Sequence, residues 1–157
     1  MHFVRDQNFP FQATGLPWPR GVEVSSLQTI APEFTRDHDD WEIFRALQRR
    51  GDVDGFITND SSLLYLPREM VMLSHTRLTL VVTDALGHDP LGATGLLMLH
   101  LPQIAKQSHP VPRIYVLKRP GLHLTRLRAH IDILAAREGI PGNALMNREL
   151  AEIARIP

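Results

Sequence analysis

The spacing of apolar positions changes repeatedly along the chain, alternating between short β-rich runs and helical stripes. Strands are predicted at Met1–Arg5, Val22–Leu27, Gly55–Thr58, Leu78–Thr83 and Arg113–Lys118. Between them, Asp39–Arg50 reads as a helix with Ile43, Phe44 and Leu47 on one stripe. Asp39 is its N-cap, Glu42 completes a capping box, and Gly51 stops it. Ser61–His75 reads as helical with a break near Pro67, and Pro90–Lys106 as an apolar helix that Pro102 ends or kinks. Leu124, Leu127, Ile131 and Leu134 mark an amphipathic helix, and Asn143–Arg155 a last one. Phe9–Pro19 holds at most a short helix, and Ile30–Arg36 reads as a loop. Strands alternating with helices imply parallel pairing with helices on both faces. The expected fold is α/β: a three-layer α/β/α sandwich around a mostly parallel sheet of about five strands. Residues 1–157 form one domain, with 123–157 a C-terminal helical extension.

Composition narrows the class. The 157 residues are 43% hydrophobic and 22% charged, which suits a packed globule rather than a disordered chain. No apolar run reaches the roughly 18 residues of a membrane span. Arg5 and Asp6 interrupt any signal-peptide pattern, so no membrane association and a cytoplasmic location are expected. The absence of cysteine excludes disulfides and thiolate metal sites. Net charge is zero but unevenly spread: residues 1–100 carry 8 Arg against 13 acids, and residues 101–157 carry 9 Lys or Arg against 4 acids. The first part suits cations, the second phosphates.

In a parallel sheet, sites form outside the carboxyl ends of the strands. Three predicted strands run into aspartates there: Asp6, Asp60 and Asp84. Asp40 lies on the buried stripe of its helix, one turn above Ile43 and Phe44. Carboxylates brought together repel until some protonate or a cation neutralises them. Hard oxygen donors without cysteine favour Mg²⁺ or Mn²⁺ over zinc. Such an ion can activate water for phosphodiester hydrolysis. The competing reading is that these aspartates are turn formers and helix caps.

Three short motifs carry a family resemblance. Asp6-Gln7-Asn8-Phe9-Pro10 after a strand resembles the Asp-Glu-Asn-Leu-Pro opening of compact PIN-like nucleases, relatives of the VapC-type toxins. Asp40-Trp41-Glu42-Ile43 resembles that family's Asp-Glu-Glu-Ile, and Phe56-Ile57-Thr58-Asn59-Asp60 its apolar strand followed by Thr-x-Asp. The order holds over residues 2–84. The resemblance implies a PIN-like sandwich and metal-dependent RNA cleavage. Asp6, Asp40 and Asp60 would be the catalytic, metal-binding carboxylates, with Asp84 a fourth metal ligand from the next strand. Asn8, Asn59 and Ser61 would position substrate. It also implies RNA as partner and, for a toxin, an antitoxin protein. Asp60 is followed by Ser61, Ser62 and Leu63 where the family continues with another acid. A catalytically degenerate RNA-binding or protein-interaction module is therefore the alternative.

Other features keep further readings open. Gly87-x4-Gly92-Ala93-Thr94 nearly fits a phosphate loop but lacks its lysine, leaving a nucleotide-binding protein using residues 87–95 as a third reading. No two of the eight histidines have the i, i+4 zinc spacing on a helix; His38 and His88 lie near acids in sequence. Arg113, Lys118, Arg119 and Arg126 could contact nucleic-acid backbone. Only one of the ten Phe, Trp and Tyr residues, Tyr115, lies beyond residue 65, which favours backbone contact over base stacking. The apolar side of the last helix could mediate a homodimer or pack on the core.

Overall fold

The computed structural model describes residues 1–7, 9, 17–34, 38–84, 86, 89–107, 111–119 and 121–156. Its strands are β1 (His2–Arg5), β2 (Glu23–Ser26), β3 (Gly55–Thr58), β4 (Thr79–Thr83), β5 (Arg113–Lys118) and β6 (Gly121–Arg126). Its helices are α1 (Leu27–Ile30), α2 (Asp40–Arg50), α3 (Pro67–Ser74), α4 (Pro90–Lys106), α5 (Leu127–Arg137) and α6 (Gly142–Ile153). A 3₁₀ turn over Ser61–Tyr65 precedes α3. One sheet runs in the order β2-β1-β3-β4-β5-β6. The first five strands are mutually parallel, and β6 closes the edge antiparallel to β5.

Side chains alternate across the pleat and so divide between two cores. Val4, Phe56, Leu80, Val82, Ile114 and Val116 meet residues of α2, α3, α5 and α6 on one face. Phe3, Ile57, Val81, Tyr115 and Leu117 meet Ala93, Leu97, Leu101 and Ile104 of α4 on the other. The chain is thus an α/β protein with helices on both sides of a mostly parallel sheet. Burying a Phe or Leu side chain contributes about 1.5–3 kcal/mol. Phe44 of α2 adds an edge-to-face contact with Phe56 at 5.5 Å between ring centroids. Gly55 starts β3 where a Cβ would lie 2.7 Å from the Phe3 ring and 2.7 Å from the Thr79 carbonyl oxygen. Only glycine lets the strands approach there.

Several elements match their sequence signals. The Asp39–Glu42 capping box forms at α2, and Gly51 ends the helix with φ 74°. The break at Pro67 separates the 3₁₀ turn from α3, as Pro at a first helical position would do. One difference stands out. The sheet has six strands because residues 121–126 form β6 rather than a helical start. Leu124 satisfies period 2 with Leu122 as well as the helical stripe of Leu127, so pairing to β5 decided it. The C-terminal segment is therefore strand then helix, with α5 and α6 packed on α3. Pro102 lies inside α4 without ending it. The apolar side of α6 is used internally: Leu145 is fully buried, and Met146 and Leu150 pack on the core. No helix among the described residues is long and apolar enough to cross a membrane.

Candidate functional site

The parallel strands grow in opposite directions from β1: β2 on one side, β3 to β5 on the other. Open α/β sheets bind ligands at the carboxyl ends beside such a switch point. Here that crevice lies between β1 and β3, and Asp6 closes β1 at its mouth. The Asp6 N–H donates to the Ile57 carbonyl at 2.8 Å, extending the ladder one residue past β1. Its side chain is drawn inward, at 6% exposure. Thr58 Oγ1 donates to Asp6 Oδ2 at 3.1 Å and accepts the Asp60 N–H at 3.0 Å. One buried hydroxyl thus ties the first acidic motif to the third. Asp60 itself is more exposed and caps the 3₁₀ turn, its Oδ1 accepting the Ser62 N–H at 2.8 Å.

Helices returning over a parallel sheet begin above the strand ends, which brings in two more carboxyls. Asp40 is the first residue of α2, and Glu69 lies in the first turn of α3. Asp40 is raised from 3.8 to about 7. Burial is the main cause, followed by the negative charges of Asp6, Glu69, Asp60 and Asp39. Glu69, only 8% exposed, is also raised, chiefly by burial. Next to Asp40 in the chain, the buried Trp41 donates its indole Nε1–H to Asp39 Oδ2 at 3.2 Å. Arg5 is buried at the end of β1, where loss of solvation lowers it and the Asp6 charge partly offsets this. Asp6, Asp40 and Asp60 therefore share one electrostatic field, although they come from three separate segments. Among the described residues, no three His, Asp or Glu side chains are positioned to hold a metal ion.

The remaining candidates fall elsewhere. Asn59 and Ser61 flank Asp60 and are half-buried. Asn8 lies outside the described residues. Asp84, after β4, forms an ion pair with Lys118 at 3.0 Å and lines a separate hollow with Asp89 and Arg119. Arg119 pairs with Asp89, so neither Lys118, the last residue of β5, nor Arg119 after it is free of an acid. Arg113 and Arg126 lie at the opposite edge of the sheet, across from each other in the β5–β6 register. The four basic residues therefore do not form one track beside Asp6. Of the 87–95 loop, residues 87 and 88 lie outside the described set. Asp89 Oδ1 accepts the Gly92 N–H at 2.8 Å, using an amide that a phosphate would need. His38 is held 3.2 Å from Glu42 and edge-on to Phe34. Glu69 was not singled out from sequence, and Thr58 entered only as part of the Thr-x-Asp motif, without a role of its own. Glu69 precedes Leu73 by one helical turn, so its place on a buried face was the available signal.

The fold and the acidic strand ends define the chain as an α/β protein with carboxyls gathered at a sheet switch point. Compared with known protein families, curated proteins and solved structures, it has no match in any of the three.

Proposed function

We propose that the chain is a divalent-metal-dependent ribonuclease of PIN-like type, working at the crevice between β1 and β3. One observation carries this reading: the buried Thr58 hydroxyl joins the Asp6 carboxylate to the Asp60 N–H, and Asp40 is raised to about 7 by burial and then by the charges of Asp6, Glu69 and Asp60. A solvated helix cap does not feel such a field. The order of the three motifs along the chain supports the family likeness.

The residues suit a hard cation in donor chemistry and in charge. Magnesium takes one or two carboxylates and keeps several waters, so it does not require a three-carboxylate cage. One or two of Asp6, Asp40 and Asp60 would hold the ion directly, and Mg²⁺ or Mn²⁺ would supply water activation and neutralise charge developing on the phosphate. Thr58 fixes the orientation of Asp6, and Glu69 keeps Asp40 basic enough to exchange a proton near neutrality. Asn59 and Ser61, beside Asp60, position the RNA strand.

A second reading has its own support. Asp60 already serves as a cap and Asp6 already accepts from Thr58, so these acids have structural employment in a non-catalytic interaction module. Cleavage of a mixed RNA pool with Mn²⁺ separates the two. The nuclease reading expects cleavage by wild type, its loss in chelator, and its loss in D40N and D60N at unchanged fold. Absence of metal-dependent cleavage in the folded wild type favours the module.

A further inference from the structure

The 3₁₀ turn that Asp60 caps presents Tyr65, five residues on, to solvent. At roughly 2 Å of rise per residue, Tyr65 lies about 10 Å along the turn from Asp60. The fold brings it a partner from far along the chain. β6 runs antiparallel to β5, so α5 starts at the opposite edge of the sheet and returns over α3 for 11 residues, about 16 Å. Arg137, the last residue of α5, sets its guanidinium carbon over the Tyr65 ring at 5.2 Å from the centroid, within cation–π range. His130, two turns earlier, donates from Nε2 to the Leu64 carbonyl at 2.6 Å and pins helix to turn. Ile133, one turn before Arg137 on the same side of α5, is exposed, as is Leu66 beside Tyr65. With Arg137 over the ring, 59% of Tyr65 is still open to solvent. Arg137 has no acidic partner among the described residues. An exposed aromatic ring with an unpaired guanidinium thus stands on the turn that Asp60 begins.

We propose that Tyr65 is a base-stacking platform: a base of single-stranded RNA lies on its ring, and Arg137 meets the adjoining phosphate. The inference rests on the ribonuclease reading and names how that site takes hold of its substrate. Carboxylates gathered at the switch point repel a phosphate backbone until a cation neutralises them, so a strand needs other holds beside them. Stacking supplies a hold without charge, and it accepts every base because every base has a π-face. The guanidinium supplies the positive one. The scarcity of aromatic residues beyond position 65 favours backbone contact alone. Tyr65, placed on the turn after Asp60, adds the base contact that composition hides.

Fluorescence anisotropy of a labelled short oligoadenylate tests it, in EDTA so that no metal-dependent cleavage intervenes. Wild type is expected to bind, Y65A to bind on the order of tenfold more weakly, and Y65F to match wild type. An abasic strand of the same length keeps the phosphates but has nothing to stack, so it should bind Y65A and wild type alike. R137Q should lower the salt dependence of binding by about one phosphate contact, and Y65A should leave it unchanged. Tyr65 is exposed, so Y65A should melt close to wild type. Equal affinity of wild type and Y65A for oligoadenylate would overturn the proposal, as would a wild type that binds none, or an equal loss on the abasic strand. So would self-association that Y65A abolishes, which would give the ring to a second copy of the chain. Tyr65-dependent binding without Mn²⁺-dependent cleavage keeps the platform and removes the nuclease. Cleavage with binding indifferent to Tyr65 does the reverse.

Discussion

Thr58 holds Asp6: its hydroxyl donates to the buried carboxylate at 3.1 Å while accepting the Asp60 N–H at 3.0 Å. The bond spans β1 and β3, so it fixes both a sheet edge and the orientation of a candidate ligand. Thr58→Val keeps the β-branched shape and removes the hydroxyl. A buried charged acceptor that loses a donor costs about 1–3 kcal/mol. Denaturant midpoints should fall accordingly in T58V and recover in T58S. A T58V protein as stable as wild type would show that Asp6 does not depend on this bond.

Asp40 gives a pH dependence with a definite sign. Its folded value of about 7 lies above its ordinary 3.8, so the folded state binds the proton more tightly. Stability from this group is therefore present at low pH and is lost as pH rises from about 4 to about 7. At roughly 1.4 kcal/mol per unit, the loss is on the order of 4 kcal/mol. Asp40→Asn removes the titration. D40N should melt well above wild type at pH 8 and close to it at pH 4. Parallel stability profiles for the two proteins across that range contradict the assigned burial and repulsion.

Glu69 should prove part of the same field. Its charge is the second carboxylate, after Asp6, in raising Asp40. Glu69→Gln keeps the shape and removes the charge. The Asp40 carboxyl, followed by carbon NMR against pH, should then titrate below its wild-type midpoint of about 7. An unchanged midpoint would separate Glu69 from the crevice.

The legible part of this architecture was set by local chemistry. Gly51, Pro67 and the Asp39–Glu42 box mark element ends through backbone rules that tertiary packing did not override. The strand ends at Asp6 and Asp60 were readable because a β-run followed by aspartate needs no partner to be recognised. What escaped depended on three-dimensional company. β6 was hidden because Leu124 fits two periods at once, and only the β5 partner chooses between them. Glu69 carries no motif; it becomes a site residue because α3 starts above the end of β3. Asp84 and Lys118 were separable candidates in sequence, whereas the β4–β5 neighbourhood pairs them with each other. The basic set split because β5 places its two ends on opposite edges of the sheet.

Cation binding supplies the sharpest test of the proposed chemistry, because it does not require knowing the RNA. A cation and a proton compete for Asp40, so binding should strengthen as pH rises through about 7. At about a hundredfold excess over its dissociation constant, a ligand specific for the folded state stabilises it by about 2.7 kcal/mol. For a chain of this length that corresponds to a melting shift of several degrees. Mn²⁺ should therefore raise the melting temperature of wild type more at pH 8 than at pH 6. The shift should vanish on adding chelator and be largely absent in D40N. It should persist in R113Q/R126Q, whose substitutions lie at the other edge of the sheet. A wild-type protein that melts at the same temperature with and without millimolar Mn²⁺ at pH 8 leaves the acids to their capping and packing roles, and the metal-dependent mechanism falls with them.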